Sequence, residues 1–174
     1  MLFRRQENRG EERRARWALP GILLAILFTL AVGLASNRDA AANENAHSLA
    51  GTWRVSIAIT DCATGTLLPL PRNPFPALVT YFKGGEVLES GCPSTFCSAG
   101  HGTWERVGPR LFRSHFMFFH FAADGTYFGT QEVRETIRLI ASDQAVSDDE
   151  VVLRDPDGNV VVSGCARGTA SRFQ

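Results

Sequence analysis

Residues 52–60 read Thr-Trp-Arg-Val-Ser-Ile-Ala-Ile-Thr, and in them Trp53, Val55, Ile57 and Ile59 alternate with Thr52, Arg54, Ser56 and Thr60. Successive side chains of a strand point to opposite faces, so this spacing predicts a strand with one apolar face and one wet face. From Leu49 onward glycine and proline are spread through the chain, and no segment sustains a 3.6-residue apolar period. That pattern excludes a helical bundle and predicts an all-β domain. Further strands are expected over 77–82, 86–89, 102–107, 111–121, 127–141, 150–154 and 159–173, with turns at Lys83-Gly84-Gly85, Asp124-Gly125 and Asp155-Pro156-Asp157-Gly158.

About eight antiparallel strands joined by short turns form an up-and-down meander, and closing it into a barrel removes the unpaired edges that would recruit other chains. Closure sets the first strand beside the last. Placing Trp53 opposite Arg172, and Cys62 opposite Cys165, implies antiparallel registers that agree to within two residues, one diagonal step.

Gly51-Thr52-Trp53 at the start of the first strand and Arg172 at the end of the last resemble the Gly-x-Trp and closing-Arg signature of lipocalins and the wider calycin barrels. The resemblance implies an Arg stacked over the Trp indole at one sealed end, a cation–π contact worth ~1–2 kcal/mol. Asp61-Cys62-x-Thr64-Gly65, Gly100-His101-Gly102-x-Trp104 and Ser163-Gly164-Cys165-Ala166 are also similar to a group of exported bacterial proteins. The fold expected is therefore a calycin-like barrel over 49–174, preceded by an apolar N-terminal helix.

That helix is expected from Ala18 to Ala35, where no residue is charged. A span needs roughly 20 apolar residues to cross a ~30 Å hydrocarbon core. Ahead of it, Met1 to Trp17 carries six Arg and three Glu; the rest of the chain then holds 12 basic and 15 acidic residues, a net charge of −3. The Arg excess orients the leader toward the cytoplasm and the chain beyond Ser36 outward. Residues 1–36 are thus read as a basic leader with either a cleaved signal peptide or a retained transmembrane anchor, Gly33-Leu34-Ala35 and Ala40-Ala41-Ala42 being two cleavage points. Residues 37–48, polar and small, are read as a flexible tether. The expected location is periplasm or cell surface, with the membrane a partner through residues 18–35 if uncleaved. A mildly acidic domain lacks the basic stripe a nucleic-acid binder needs.

In an oxidising compartment four cysteines read as disulfides, and four allow three pairings. The register favours Cys62 with Cys165, leaving Cys92 with Cys97 to close the short Cys92-Pro-Ser-Thr-Phe-Cys97 loop. The rival reading groups Cys92, Cys97 and His101 around zinc, but no fourth ligand is evident and the spacing matches no common zinc pattern. No metal or cofactor is expected.

Phe112, Ser114, Phe116, Phe118 and His120 share one face of their strand, a wall of rings with two polar points. A small barrel either fills its interior with such side chains or keeps a cavity for one ligand, and these five are the candidate ligand-binding residues. His115 and His120, five apart, face opposite ways and belong to no common site. No catalytic group is singled out and no Gly-x-Ser-x-Gly elbow occurs. Three functions remain open: a barrel binding a small apolar ligand, a barrel enzyme of cyclase or isomerase type by analogy with allene-oxide-cyclase barrels, and a non-catalytic interaction module on a membrane stalk. A Phe-lined cavity closed at the Trp53 end supports the first, convergent titratable groups inside it the second, and an apolar patch outside a filled barrel the third.

Overall fold

A computed structural model of the chain describes residues 47–91 and 96–173. The apolar N-terminal helix, the leader and nearly all of the tether lie outside the described residues. Within them there is no helix, and eight strands run in order: β1 Gly51–Thr60, β2 Phe75–Tyr81, β3 Glu86–Ser90, β4 Gly100–Arg106, β5 Leu111–Phe121, β6 Tyr127–Leu139, β7 Gln144–Arg154 and β8 Val160–Arg172. Each pairs antiparallel with the next, and β1 pairs with β8, so the sheet closes into a barrel without a free edge. An eight-stranded antiparallel closed barrel is consistent with a calycin-like fold.

The seam register sets Trp53 opposite Arg172 and Thr60 opposite Cys165. Cys62, two residues past the end of the ladder, bonds back to Cys165 across a sequence separation of 103. The two-residue offset between the indole–guanidinium and sulfur pairs is this diagonal step. Such a bond suits an oxidising, extracytoplasmic compartment. Cys92 lies outside the described residues, and the expected Cys92–Cys97 bond with it; Cys97 bridges His120 through the backbone.

β7 begins at Gln144, six residues before the 150–154 strand expected from sequence. Its first half, Gln-Ala-Val-Ser-Asp-Asp, carries small and acidic residues rather than an apolar stripe. Ala145 and Asp149 are nonetheless buried, on the inward face. β2 and β4 likewise start two residues early, at Phe75 and Gly100.

One end of the barrel is solid. Trp53 is fully buried, with Leu49, Val79, Phe112 and Leu139 packed around it, each 2 % exposed or less. The indole Nε1–H donates to the Leu49 carbonyl at 2.8 Å, holding the segment before β1 across the opening. Arg172 lies over the indole with its guanidinium 4.3 Å from the ring centroid. It also donates to the carbonyls of Ala50 (2.7 Å), Ser48 (2.8 Å) and Ser142 (3.1 Å). One side chain therefore joins three chain segments over the plug.

Candidate ligand cavity and its buried carboxyl groups

Above the plug the barrel is hollow. A cavity of 370 Å³ is walled by Ile57, Ile59, Phe75, Phe116, Phe118, Val133, Val151, Leu153 and Val162. The β1–β2 connection contributes Leu68 and Leu70 to the same wall. Asn73 ties that connection down: its side-chain amide donates to the carbonyls of Ile59 (2.9 Å) and Leu68 (2.7 Å), and its oxygen accepts from the Ile59 N–H at 2.8 Å.

Two glycines shape the space in opposite ways. A Cβ on Gly100 would sit 2.8 Å from the Phe118 ring, so its absence is what lets the Phe116 and Phe118 rings lie against β4. Those rings meet edge to face at 5.6 Å. A Cβ on Gly164 would meet nothing within 4 Å, because that residue borders open cavity.

The five aromatic-strand residues singled out from sequence divide between plug and cavity. Phe112 is fully buried in the plug, beside the Trp104 ring at 5.8 Å and under the Arg106 guanidinium at 4.8 Å. Phe116 and Phe118 line the cavity. Ser114 donates its hydroxyl to Glu135 Oε2. His120, at the rim where a bulge interrupts the β5–β6 ladder, shares a 3.1 Å hydrogen bond with Gln131, which lines the cavity. His101 and His115 are exposed on the outer surface, His115 at 3.8 Å from Glu132.

The cavity also holds three carboxyl groups that did not figure among the sequence candidates: Glu89, Glu135 and Asp149, between 3 % and 9 % exposed. Ser114, Glu135, Asp149 and Ala166 are consecutive cross-strand partners on β5 to β8, which sets the Glu135 and Asp149 side chains next to each other. Glu89 comes from β3, between Val79 and Gly100. Glu135 Oε2 accepts from the Tyr81 hydroxyl at 3.0 Å as well as from Ser114. Asp149 Oδ1 is buried without a hydrogen-bond partner.

Burial penalises the charged form of all three acids. Asp149 is pushed up to about 8, by desolvation first and the Glu135 charge second, against the pull of the Ser147 hydroxyl. Glu89 is raised well above the usual carboxylate range by desolvation and then by the charges of Glu135 and Asp149. Glu135 is raised by desolvation, while its bonds from Ser114 and Tyr81 favour its ionised form. The barrel interior can therefore hold a proton on Asp149 near neutral pH beside a carboxyl, Glu135, that is better furnished with donors.

A parity signal for these groups is present in the sequence. Glu135 falls in step with Val133, Ile137 and Leu139, and Glu89 in step with Val87. An acid on the apolar parity of a strand is one that folding buries. Asp149 shares the parity of Val151 and Leu153 but lies one residue before the strand expected over 150–154.

No protein-family model matches the chain, and no curated protein does. Neither comparison supports the resemblance to a group of exported bacterial proteins.

Proposed function

We propose that this chain is an exported barrel, secreted or anchored through residues 18–35, that binds one small, mainly apolar molecule. The observation that carries the reading is the 370 Å³ apolar cavity above a sealed plug. Its volume falls in the ~300–1,000 Å³ range of small-molecule sites, and apolar walls with a few convergent polar groups are what such sites have in common. Phe116 and Phe118 supply the walls; Ser114 and His120 act through Glu135 and Gln131, respectively.

N-phenyl-1-naphthylamine, a neutral fluorophore that brightens in apolar surroundings, tests this on the full chain. Saturable brightening is expected, and Gly164→Leu, whose side chain has room only inside the cavity, should abolish it while leaving the melting temperature close to that of the parent. Absence of saturable binding, or binding indifferent to Gly164→Leu, would refute the reading.

A second reading, a barrel enzyme of cyclase or isomerase type, draws support from Asp149 and Glu135. An acid tuned to near neutrality beside a second carboxyl can deliver and recover protons at a bound ligand. It requires that a compound bound in the cavity be converted, and that Asp149→Asn stop conversion without stopping binding.

A further inference from the structure

We infer that the molecule held in this cavity carries a primary or secondary ammonium group, seated among Asp149, Glu135 and Glu89 with its apolar body against Phe116 and Phe118. The inference rests on the reading of the cavity as a small-molecule site and adds the ligand's chemical class.

Two observations beyond the presence of acids point to a ligand. Asp149 is 6 % exposed and borders the cavity, yet its Oδ1 has no hydrogen-bond partner. An acceptor buried in that way is costly unless a donor arrives from elsewhere. The Glu89 carboxyl, on a residue 3 % exposed that borders the same cavity, likewise has no side-chain hydrogen bond or ion pair among the described residues. The Tyr81 and Ser114 hydroxyls both serve Glu135 Oε2, and the Ser147 hydroxyl that pulls on the Asp149 carboxyl leaves Oδ1 without a bond.

Charge decides the sign of the missing partner. Among the described residues every ion pair involves Glu132 or Asp148, and no Lys, Arg or His reaches the three interior acids. The groups facing them are Tyr81 from β2, Ser114 from β5, Gln131 from β6, Ser147 from β7 and Thr60 from β1, none of them a cation, and the one further charge that acts on Asp149 is that of its neighbour Asp148, also negative. The Glu135 charge raises both Asp149 and Glu89, and the Asp149 charge raises Glu89, through like-charge repulsion. An anionic ligand would add to that repulsion and a wholly apolar one would leave it in place. A cation relieves it. Because Asp149 Oδ1 lacks a hydrogen bond and not merely a counter-charge, the cation needs N–H groups, which a quaternary ammonium does not have. The Phe116 and Phe118 rings add faces on which an ammonium or its neighbouring methylenes can rest.

An ammonium ion binds the ionised form of Asp149, whereas near neutral pH the empty site holds that group mainly as the acid. Binding should therefore expel a proton to solvent, and affinity should rise as pH climbs through about 8. The trend ends where the amine itself loses its charge.

The test uses the full chain and two probes of nearly equal shape, 4-phenylbutylamine and 4-phenylbutan-1-ol, titrated by calorimetry in buffers of differing ionisation enthalpy. We expect the amine to bind at least about tenfold more tightly than the alcohol, with proton release seen as a buffer-dependent heat. Asp149→Asn, and separately Glu89→Gln, should remove that preference, so that amine and alcohol bind each variant within about twofold of one another. The trimethylammonium analogue of the amine should bind more weakly than the amine. Equal binding of amine and alcohol, or a preference that survives both substitutions, overturns the ammonium inference while naphthylamine binding still supports the cavity. Failure of all probes, naphthylamine included, overturns both.

Discussion

Replacing Asp149 by Asn should flatten the dependence of stability on pH. In the unfolded chain this carboxyl titrates at its ordinary 3.8, and in the folded barrel at about 8. Below pH 3.8 both states are protonated and the folded state carries no penalty from this group. Between the two values the folded barrel keeps a proton that the unfolded chain has released, so each rise in pH favours unfolding; above about 8 the loss is complete. A full unit of difference is about 1.4 kcal/mol, so from about pH 5 to about pH 8 the parent should lose about 4 kcal/mol through Asp149 alone. Glu89 and Glu135 are shifted in the same direction and will give the variant a residual slope. The informative quantity is the gap between the two curves. Urea denaturation followed by Trp fluorescence at several pH values measures it. The variant should be close to the parent in acid and clearly more stable in mild alkali. Parallel curves would show that Asp149 is not a buried acid, and with it the electrostatic account of the cavity floor would fail.

Arg172→Ala removes the stacked guanidinium and three hydrogen bonds to carbonyls at the plug, and should cost about 2–4 kcal/mol. An unchanged melting temperature would refute the sealing role. Cys165→Ser opens a covalent loop of 103 residues and should lower stability by up to about 4.7 kcal/mol on chain entropy, read as a fall in the urea midpoint that reducing agent reproduces in the parent. Gly100→Ala places a methyl group against the Phe116 and Phe118 rings, costing about 1–3 kcal/mol and weakening naphthylamine binding by tilting the cavity wall. Unaltered binding and stability there would mean that the rings do not depend on contact with β4.

Strand identity and barrel closure were legible because they rest on local periodicity and on pairs that must meet. Trp53, Val55, Ile57 and Ile59 alternate, and Trp53 lies opposite Arg172 as the shared register required. Where a strand buries small or polar groups, that code loses contrast. Gln144 to Asp149 contains little that marks it as strand, and the acid at its end, though in step with Val151 and Leu153, falls outside the stretch that reads as one. Glu135 stands in plain alternation with Val133 and Ile137, yet an acid among apolar residues reads equally as a strand irregularity until its surroundings are known. The division of the aromatic strand was not readable at all. Phe112 and Phe118 have the same parity, and only their height along the barrel separates plug from cavity.

By itself, the order of residues determined that the region from Leu49 onward is all-β, that its first and last strands adjoin, and which side chains point inward, since backbone alternation and antiparallel register depend only on residue spacing. The tertiary structure decided whether the interior was full and what its acids would encounter. Those outcomes depend on side chains from many strands converging at one height inside a closed cylinder. No segment read in isolation contains the distances between Glu89, Glu135 and Asp149, and it is those distances, in a space sealed from water on one side, that raise three ordinary carboxyl groups above their usual range with no cation beside them among the described residues.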